Sequence, residues 1–199
     1  DIAEHYESND YQPHYKKKNL LNILYRIAQF INNNSKASVI GKYFKKGSLL
    51  DFGGGDGQFN SYMARNKWNS IYYEPHLEKK NNYHMVDIAE LNKESFDVIT
   101  MFHSVEHLHN IHESLSNIYN LLDPRGILLI SFPNYYAYEK SFFKEHWIAY
   151  DAPRHLYHFS PESIEKLLIE KKFRIIESKA VYLDTFYNII MSTNKIYKY

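Results

Sequence analysis

The stretch LLDFGGGDGQF, residues 49–59, decides how the rest of the chain is read. A short apolar run and an Asp lead directly into three consecutive glycines, and a further glycine follows at Gly57. Ser48 to Phe52 has the character of a short buried strand and Gln58 to Asn66 that of a helix, so the chain must turn sharply between them. Glycine reaches backbone angles closed to other residues and lets a ligand lie against the main chain. The next helix offers unpaired N–H groups with a partial positive charge. Spacing then separates the ligands. A phosphate-cradling loop needs Gly-x-x-x-x-Gly-Lys-Ser/Thr, and no Lys follows here. A dinucleotide loop needs Gly-x-Gly-x-x-Gly, but counted from Gly53 and Gly55 the third position is Gln58. The pattern present is Asp51-x-Gly53-x-Gly55-x-Gly57.

Outward from this loop, apolar spacing predicts an opening helix over Asn19 to Ile31, ended by Asn32-Asn33-Asn34-Ser35. Ser70 to Tyr73 reads as a second strand ending at Glu74-Pro75, and Tyr83 to Val86 as a third ending at Asp87. FDVITMF, residues 96–102, is a further apolar run. A helix from about Ile111 to Leu122, the turn Asp123-Pro124-Arg125-Gly126, a strand over Gly126 to Phe132 and another over Phe173 to Val181 complete the pattern. Strands alternating with helices argue for an α/β fold with a parallel sheet covered on both faces. Ligands of such sheets sit beyond the carboxyl ends of the strands, which is where the glycines fall.

Composition narrows the classes. A chain of 199 residues, 44% hydrophobic, suits one domain with one core. With 24 basic against 23 acidic residues there is no excess charge for a polyanion, and Lys16-Lys17-Lys18 reads as a solvated helix start. The absence of cysteine excludes disulfides, thiolate metal sites and a cysteine nucleophile, and suits a reducing cytosol. Apolar runs such as Ile127 to Ile130 are far shorter than the ~20 residues of a membrane span, and no signal-like segment opens the chain, so a cytoplasmic protein is expected. Nineteen Tyr and 12 Phe suit either an aromatic-rich pocket or codon bias.

The glycine pattern resembles the first motif of the class I S-adenosylmethionine-dependent methyltransferases. Glu74 stands where that family places an acid on the ribose hydroxyls, and Asp87-Ile88 where it contacts adenine. FDVITMFHSVEHL, residues 96–108, and LLDPRGILLISFPN, residues 121–134, are similar to the fourth-strand motif and the turn and strand after it. WIAYDAPRHLYHFSPESIEKLLIEKKFRIIES, residues 147–178, resembles a segment of the subgroup related to ubiquinone-biosynthesis enzymes and to small-molecule methyltransferases of surface-glycan gene clusters. The resemblance covers roughly residues 46–181 and implies a Rossmann-like, doubly wound, mostly parallel sheet. It implies S-adenosylmethionine as cofactor, held by Asp51, Gly53, Gly55, Gly57, Glu74, Asp87 and Ile88, with Phe102 and His103 passing beside it. A single domain would comprise an amino-terminal helical lid (1–45), a cofactor-binding core (46–134), an acceptor-site cover (135–160) and a carboxyl-terminal helix, strand and tail (161–199). Two departures stand out. HLEKKNN, between Pro75 and Tyr83, allows barely two helical turns, and LDTFYNIIMSTNKIYKY replaces the family's final antiparallel strand. Together with a start at Asp1 rather than Met, this suggests an incomplete chain.

Methyl transfer is an in-line displacement at a sulfonium methyl, in which a base is needed only if the acceptor must lose a proton. Histidine is the natural base at neutral pH, and the candidates are His103, His107, His146, His155 and His158. His103, Glu106 and His107 fall at i, i+3 and i+4. Ubiquinone-type relatives carry Glu-x-x-Glu-His there in association with a divalent cation, with His103 here in the place of the first Glu; we assign no metal, and read Glu106 and His107 as packed and hydrogen-bonded. His155, in the Pro-Arg-His segment, and His107 are the candidate catalytic residues, Arg154 is expected to pair either with a carboxylate or phosphate of a substrate or with Asp151, and Ser160 to cap a helix with Ser163. Tyr11-Gln12-Pro13-His14-Tyr15 resembles a segment that closes over the cofactor in related enzymes. The expected function is methylation of a small molecule at a hydroxyl oxygen, without nucleic acid or stable membrane insertion and with the oligomeric state left open. The alternative is a non-catalytic cofactor-binding or scaffold protein.

Overall fold

The computed structural model describes residues 20–74, 88 and 91–197. The chain divides into two compact units, residues 1–100 with 122–128 and residues 101–121 with 129–199.

The first unit is built on a sheet of order β2-β1-β3-β4. Strand β1 (Ser48–Phe52) pairs in parallel with β2 (Asn69–Tyr73) on one side and with β3 (Phe96–Phe102) on the other. Being central, β1 is apolar on both faces, and Leu49, Leu50, Val98 and Ile99 are fully buried. Register is pinned by Asp97, whose Oδ2 accepts bonds from the Ser48 backbone N–H and hydroxyl at 2.8 and 2.9 Å. Helix α2 (Gln58–Arg65) buries Phe59 and Met63 and packs against β2.

Two elements of this unit run past their expected ends. Helix α1 runs from Leu20 to Ile40, straight through Asn32 to Ser35. Asn and Ser cost only a few tenths of a kcal/mol each in a helix interior, too little to end one. The helix stops at buried Ile40 and Gly41, whose N–H still reaches Ala37 O at 2.8 Å. Strand β4 spans Leu122–Ser131 and absorbs the expected Asp-Pro-Arg-Gly turn. At the sheet edge the missing N–H of Pro124 need leave no ladder bond unmade, and Gly126 fits because a Cβ there would lie 2.9 Å from Phe96 O.

The second unit contains α3 (Ile111–Leu121), α4 (Tyr138–Phe143), α5 (Pro161–Glu170) and α6 (Tyr182–Tyr197). Helix α3 buries Ile111, Leu115, Ile118 and Leu121 at helical spacing. Helix α5 opens with the expected reciprocal cap, Ser160 with Ser163. A small core of Phe143, Trp147 and Ala149 forms where α4 and the turn Ile148–Tyr150 meet α6, and buried Ser192 accepts the Ile148 N–H at 2.9 Å. The expected strand over Phe173 to Val181 is absent: the segment pairs with no neighbour among the described residues, and Ile176 and Val181 stay exposed. Helix α6 succeeds it in place of an irregular tail. No helix among the described residues is long and apolar enough to cross a membrane.

Candidate functional site

In the first unit the chain leaves β1 at Phe52 and is stitched at once to the end of β2. The N–H groups of Gly53 and Gly54 both donate to Tyr73 O, at 2.8 and 3.2 Å. Gly55 N–H then donates to Glu74 Oε2 at 3.0 Å, so the acid expected on the ribose also fastens the loop. The loop has two unlike faces. Added to Gly57, a Cβ would lie 3.0 Å from the ring of buried Tyr72. At Gly55, φ is +56° and a Cβ would meet nothing within 4 Å among the described residues. One face is therefore sealed by Tyr72 and the other is backbone that no described residue covers, which is the shape of a ligand cradle.

Asp51 lies under this cradle, 3% exposed, and accepts the Thr100 hydroxyl at 2.7 Å. Burial pushes its pKa up to about 6, against the pull of the Thr100 bond and of Lys36. Sequence reasoning misses Tyr72, Thr100 and Gly54; Thr100 is recoverable in principle, being the β3 residue in register with Asp51. Asp87 and the strand over Tyr83 to Val86 lie outside the described residues, as does Tyr11 to Tyr15. Ile88 is half-buried, and its carbonyl accepts the Leu91 N–H at 3.3 Å.

The second unit gathers the histidines. Just past Phe102, His103 takes a left-handed backbone, φ +53°, and its N–H donates to Ser131 O at 3.0 Å. Its ring lies between two carboxylates, with Nε2 3.0 Å from Asp184 Oδ2 and Nδ1 3.6 Å from Glu106 Oε1. Burial opposes its charge, but the contact with Asp184 and the Glu106 carboxylate beside it prevail and push its pKa up to about 9. Asp184 sits in the stretch expected to be a tail, so nothing in the sequence links it to His103.

Glu106 is 1% exposed, and both its carboxylate oxygens lack a hydrogen-bond partner among the described residues. Its backbone carbonyl accepts the N–H groups of Leu156 and Tyr157 at 2.9 and 3.3 Å, which binds the Pro-Arg-His segment to the Val105–His107 turn. That clamp brings His155 to His107, with ring centroids 4.6 Å apart. Nδ1 of His107 lies 3.0 Å from Arg154 O, and Nδ1 of His155 lies 2.8 Å from Ala149 O. Carbonyl oxygens only accept, so each of these Nδ1 atoms carries a hydrogen, and in the neutral form of either ring the lone pair is on Nε2. Nε2 of His155 stands 4.0 Å from Glu106 Oε1 and 3.7 Å from Asp151 Oδ2. Burial lowers the pKa of His107. Glu106, His107 and His155 each offer one ligand atom within 4.8 Å of the others.

Around this cluster, Arg154 pairs with Asp151, one of its two expected partners. His158 lies against Tyr135 and Tyr150, with its pKa lowered by burial and then by His155 and Lys140. His146 stands apart, beside Glu145.

A family model described as a methyltransferase domain matches residues 19–178. Among curated proteins, probable polyketide synthases 29 and 32 of Dictyostelium discoideum are 29% and 28% identical over 136 residues, 65% of this chain. The chain spans only 4% of the length of those relatives. Among solved structures, a SAM-dependent methyltransferase from Archaeoglobus fulgidus superposes with TM-score 0.57 at 20% identity, covering 84% of this chain and 86% of that one. The Burkholderia thailandensis 1,6-didemethyltoxoflavin-N1-methyltransferase, with bound 1,6-didemethyltoxoflavin and S-adenosylhomocysteine, gives 0.54 at 18% identity over 74% and 69%. Phospholethanolamine N-methyltransferase 2 of Haemonchus contortus gives 0.56 at 21% identity over 83% and 43%. These likenesses establish the fold.

Proposed function

Because the chain belongs to the methyltransferase-domain family, we propose that it moves a methyl group from S-adenosylmethionine to a hydroxyl oxygen of a small molecule. The observation that carries this reading is the two-faced glycine loop, sealed beneath by Tyr72 and covered by no described residue at Gly55. Glu74 Oε2 accepts the Gly55 N–H, and Glu74 is the acid we assign to the ribose hydroxyls, since a carboxylate can accept several donors. Asp51, Gly53, Gly57, Ile88, Phe102, His103 and Asp87 complete the proposed cofactor set.

On the acceptor side, the hydroxyl must lose a proton as its oxygen bonds to the methyl carbon. The C–S bond breaks, its electron pair returns to sulfur, and S-adenosylhomocysteine leaves. His155 and His107 are the residues we assign to that proton. The lone pair on His155 Nε2 can accept it, and the carboxylates of Asp151 and Glu106, 3.7 and 4.0 Å away, stabilise the imidazolium that results. A cysteine-free chain suits the reducing cytoplasm, where we place the reaction.

Calorimetric titration of the purified chain with S-adenosylmethionine, S-adenosylhomocysteine and NAD tests the reading. Saturable binding of both sulfur ligands and none of NAD is expected. Tight NAD binding with no response to the sulfur ligands would overturn it.

A further inference from the structure

We infer that the outer face of helix α6 (Tyr182–Tyr197) is a docking surface for a second copy of this chain, packed antiparallel about a two-fold axis that crosses the helix near Ile189 and Ile190. One side of the helix is tied to the rest of its unit by polar contacts. Asp184 Oδ2 lies 3.0 Å from His103 Nε2, and buried Ser192 accepts the Ile148 N–H at 2.9 Å. These contacts fix which side of the helix turns inward. On the other side Tyr182, Phe186, Ile189, Ile190 and Ile196 fall at helical spacing along its whole length, and all five are exposed. Asp184 and Lys195, the charged residues of the helix, lie on the opposite side at about 100° per residue. A surface helix ordinarily turns its apolar stripe toward a core, so a stripe held outward marks a surface that another body covers.

The size of the face matches what a stable dimer needs. Tyr138 and Phe142 stand exposed on α4, which packs against α6. These two rings and those of Tyr182 and Phe186 are 64–86% exposed, and at ~200 Å² per ring they present about 600 Å². The three isoleucines bring the face to the ~800 Å² that each partner gives to a standard interface, beyond the roughly 300–600 Å² of the largest patch on an ordinary monomer. The chemistry of the face selects the partner. Helices that lie in a lipid surface carry Lys or Arg along the polar side, whereas α6 sets one Lys against one Asp. With 24 basic and 23 acidic residues in the whole chain, two copies meet without net repulsion. Antiparallel pairing opposes the two helix dipoles, and an axis through the middle of 16 residues sets Ile189 and Ile190 against their counterparts, as an isologous contact requires. Covering this face also steadies the helix that brings Asp184 to His103. The inference does not depend on methyl transfer.

The test uses the full chain in sedimentation equilibrium. A mass twice that of the chain is expected, falling to that of one chain on dilution. Phe186→Asp, which puts a charge into the face, should raise the dissociation constant at least about 30-fold, the scale of losing one strong interface contact. Ile169→Asp, at an exposed apolar residue of α5, should leave it unchanged. Orientation is read separately, and the cysteine-free chain makes that reading clean. A single Ile190→Cys beside the axis should join two copies by a disulfide under mild oxidation. Tyr182→Cys should not, because antiparallel pairing holds it roughly 20 Å from its counterpart along the helix. Circular dichroism shows which variants fold, and if Phe186→Asp does not, the cross-link at Ile190→Cys decides alone. A single-chain mass at every concentration, with or without uptake onto vesicles of anionic lipid, would overturn the inference. So would a dimer that a folded Phe186→Asp leaves intact, no cross-link at Ile190→Cys, or a cross-link at Tyr182→Cys.

Discussion

The glycine loop and the histidine cluster are built in opposite ways. Within Asp51 to Glu74 the loop is assembled almost entirely by main-chain bonds: Gly53 and Gly54 to Tyr73, Gly57 to Gly54, Gly55 to one carboxylate. The cluster draws Glu106 and His107 from one turn, Ala149 to His155 from another, and is flanked by His103 held to Asp184 on α6. A site made of backbone is specified by a short run of residue types. A site made of side chains from separate segments is specified by how those segments pack. The loop should therefore answer to changes in ligand affinity, and the cluster to changes in rate.

The sharpest break in that contrast comes from His155→Ala. Turnover should fall ~10²–10⁴-fold while S-adenosylmethionine affinity is nearly unchanged, measured by steady-state kinetics beside calorimetry. Joint loss of stability and cofactor binding would instead make the residue part of the scaffold.

Next in size is a pH effect on the loop's foundation. Asp51 has its pKa raised from 3.8 to about 6, so in that window the folded chain holds a proton the unfolded chain has lost. Stability contributed by this group is present below the unfolded value and declines as pH rises toward 6, by on the order of 3 kcal/mol at 1.36 kcal/mol per unit. Asp51→Asn should remove that slope. Urea melts of both chains from the acid to the neutral side of that window check it, and a constant difference between them would contradict the assignment.

Glu74→Ala should have the smallest effect. It removes charge-assisted bonds worth roughly 1.5–3 kcal/mol each without opening a core, so cofactor affinity drops while the melting temperature holds. Unaltered affinity would mean that the Glu74–Gly55 bond serves only the loop.

The same contrast explains what the sequence disclosed. The Ser160–Ser163 cap is fixed by residues three positions apart, and strand β1, the loop and Glu74 at the end of β2 fall within one short βαβ stretch of chain. Sequence reasoning fails where a distant partner decides. Asn32 to Ser35 look like a stop until Ile40 is seen to be buried. Phe173 to Val181 has strand-like residues but pairs with no strand among the described residues. His103, Glu106 and His107 share a face by spacing, yet Asp184 claims the first, and only the carbonyl of Glu106 brings in His155.

That carbonyl has an evolutionary consequence. The two bonds from Leu156 and Tyr157 to Glu106 O close a long loop of chain at its base. Closure entropy rises only logarithmically with length, about 0.6 kcal/mol per doubling, so residues inserted within the loop cost the cluster little. The turn just before α4, where Tyr136 is exposed, is where such insertions meet least resistance. Lineages sharing this clamp could lengthen or rewrite that turn without disturbing the cluster the clamp holds.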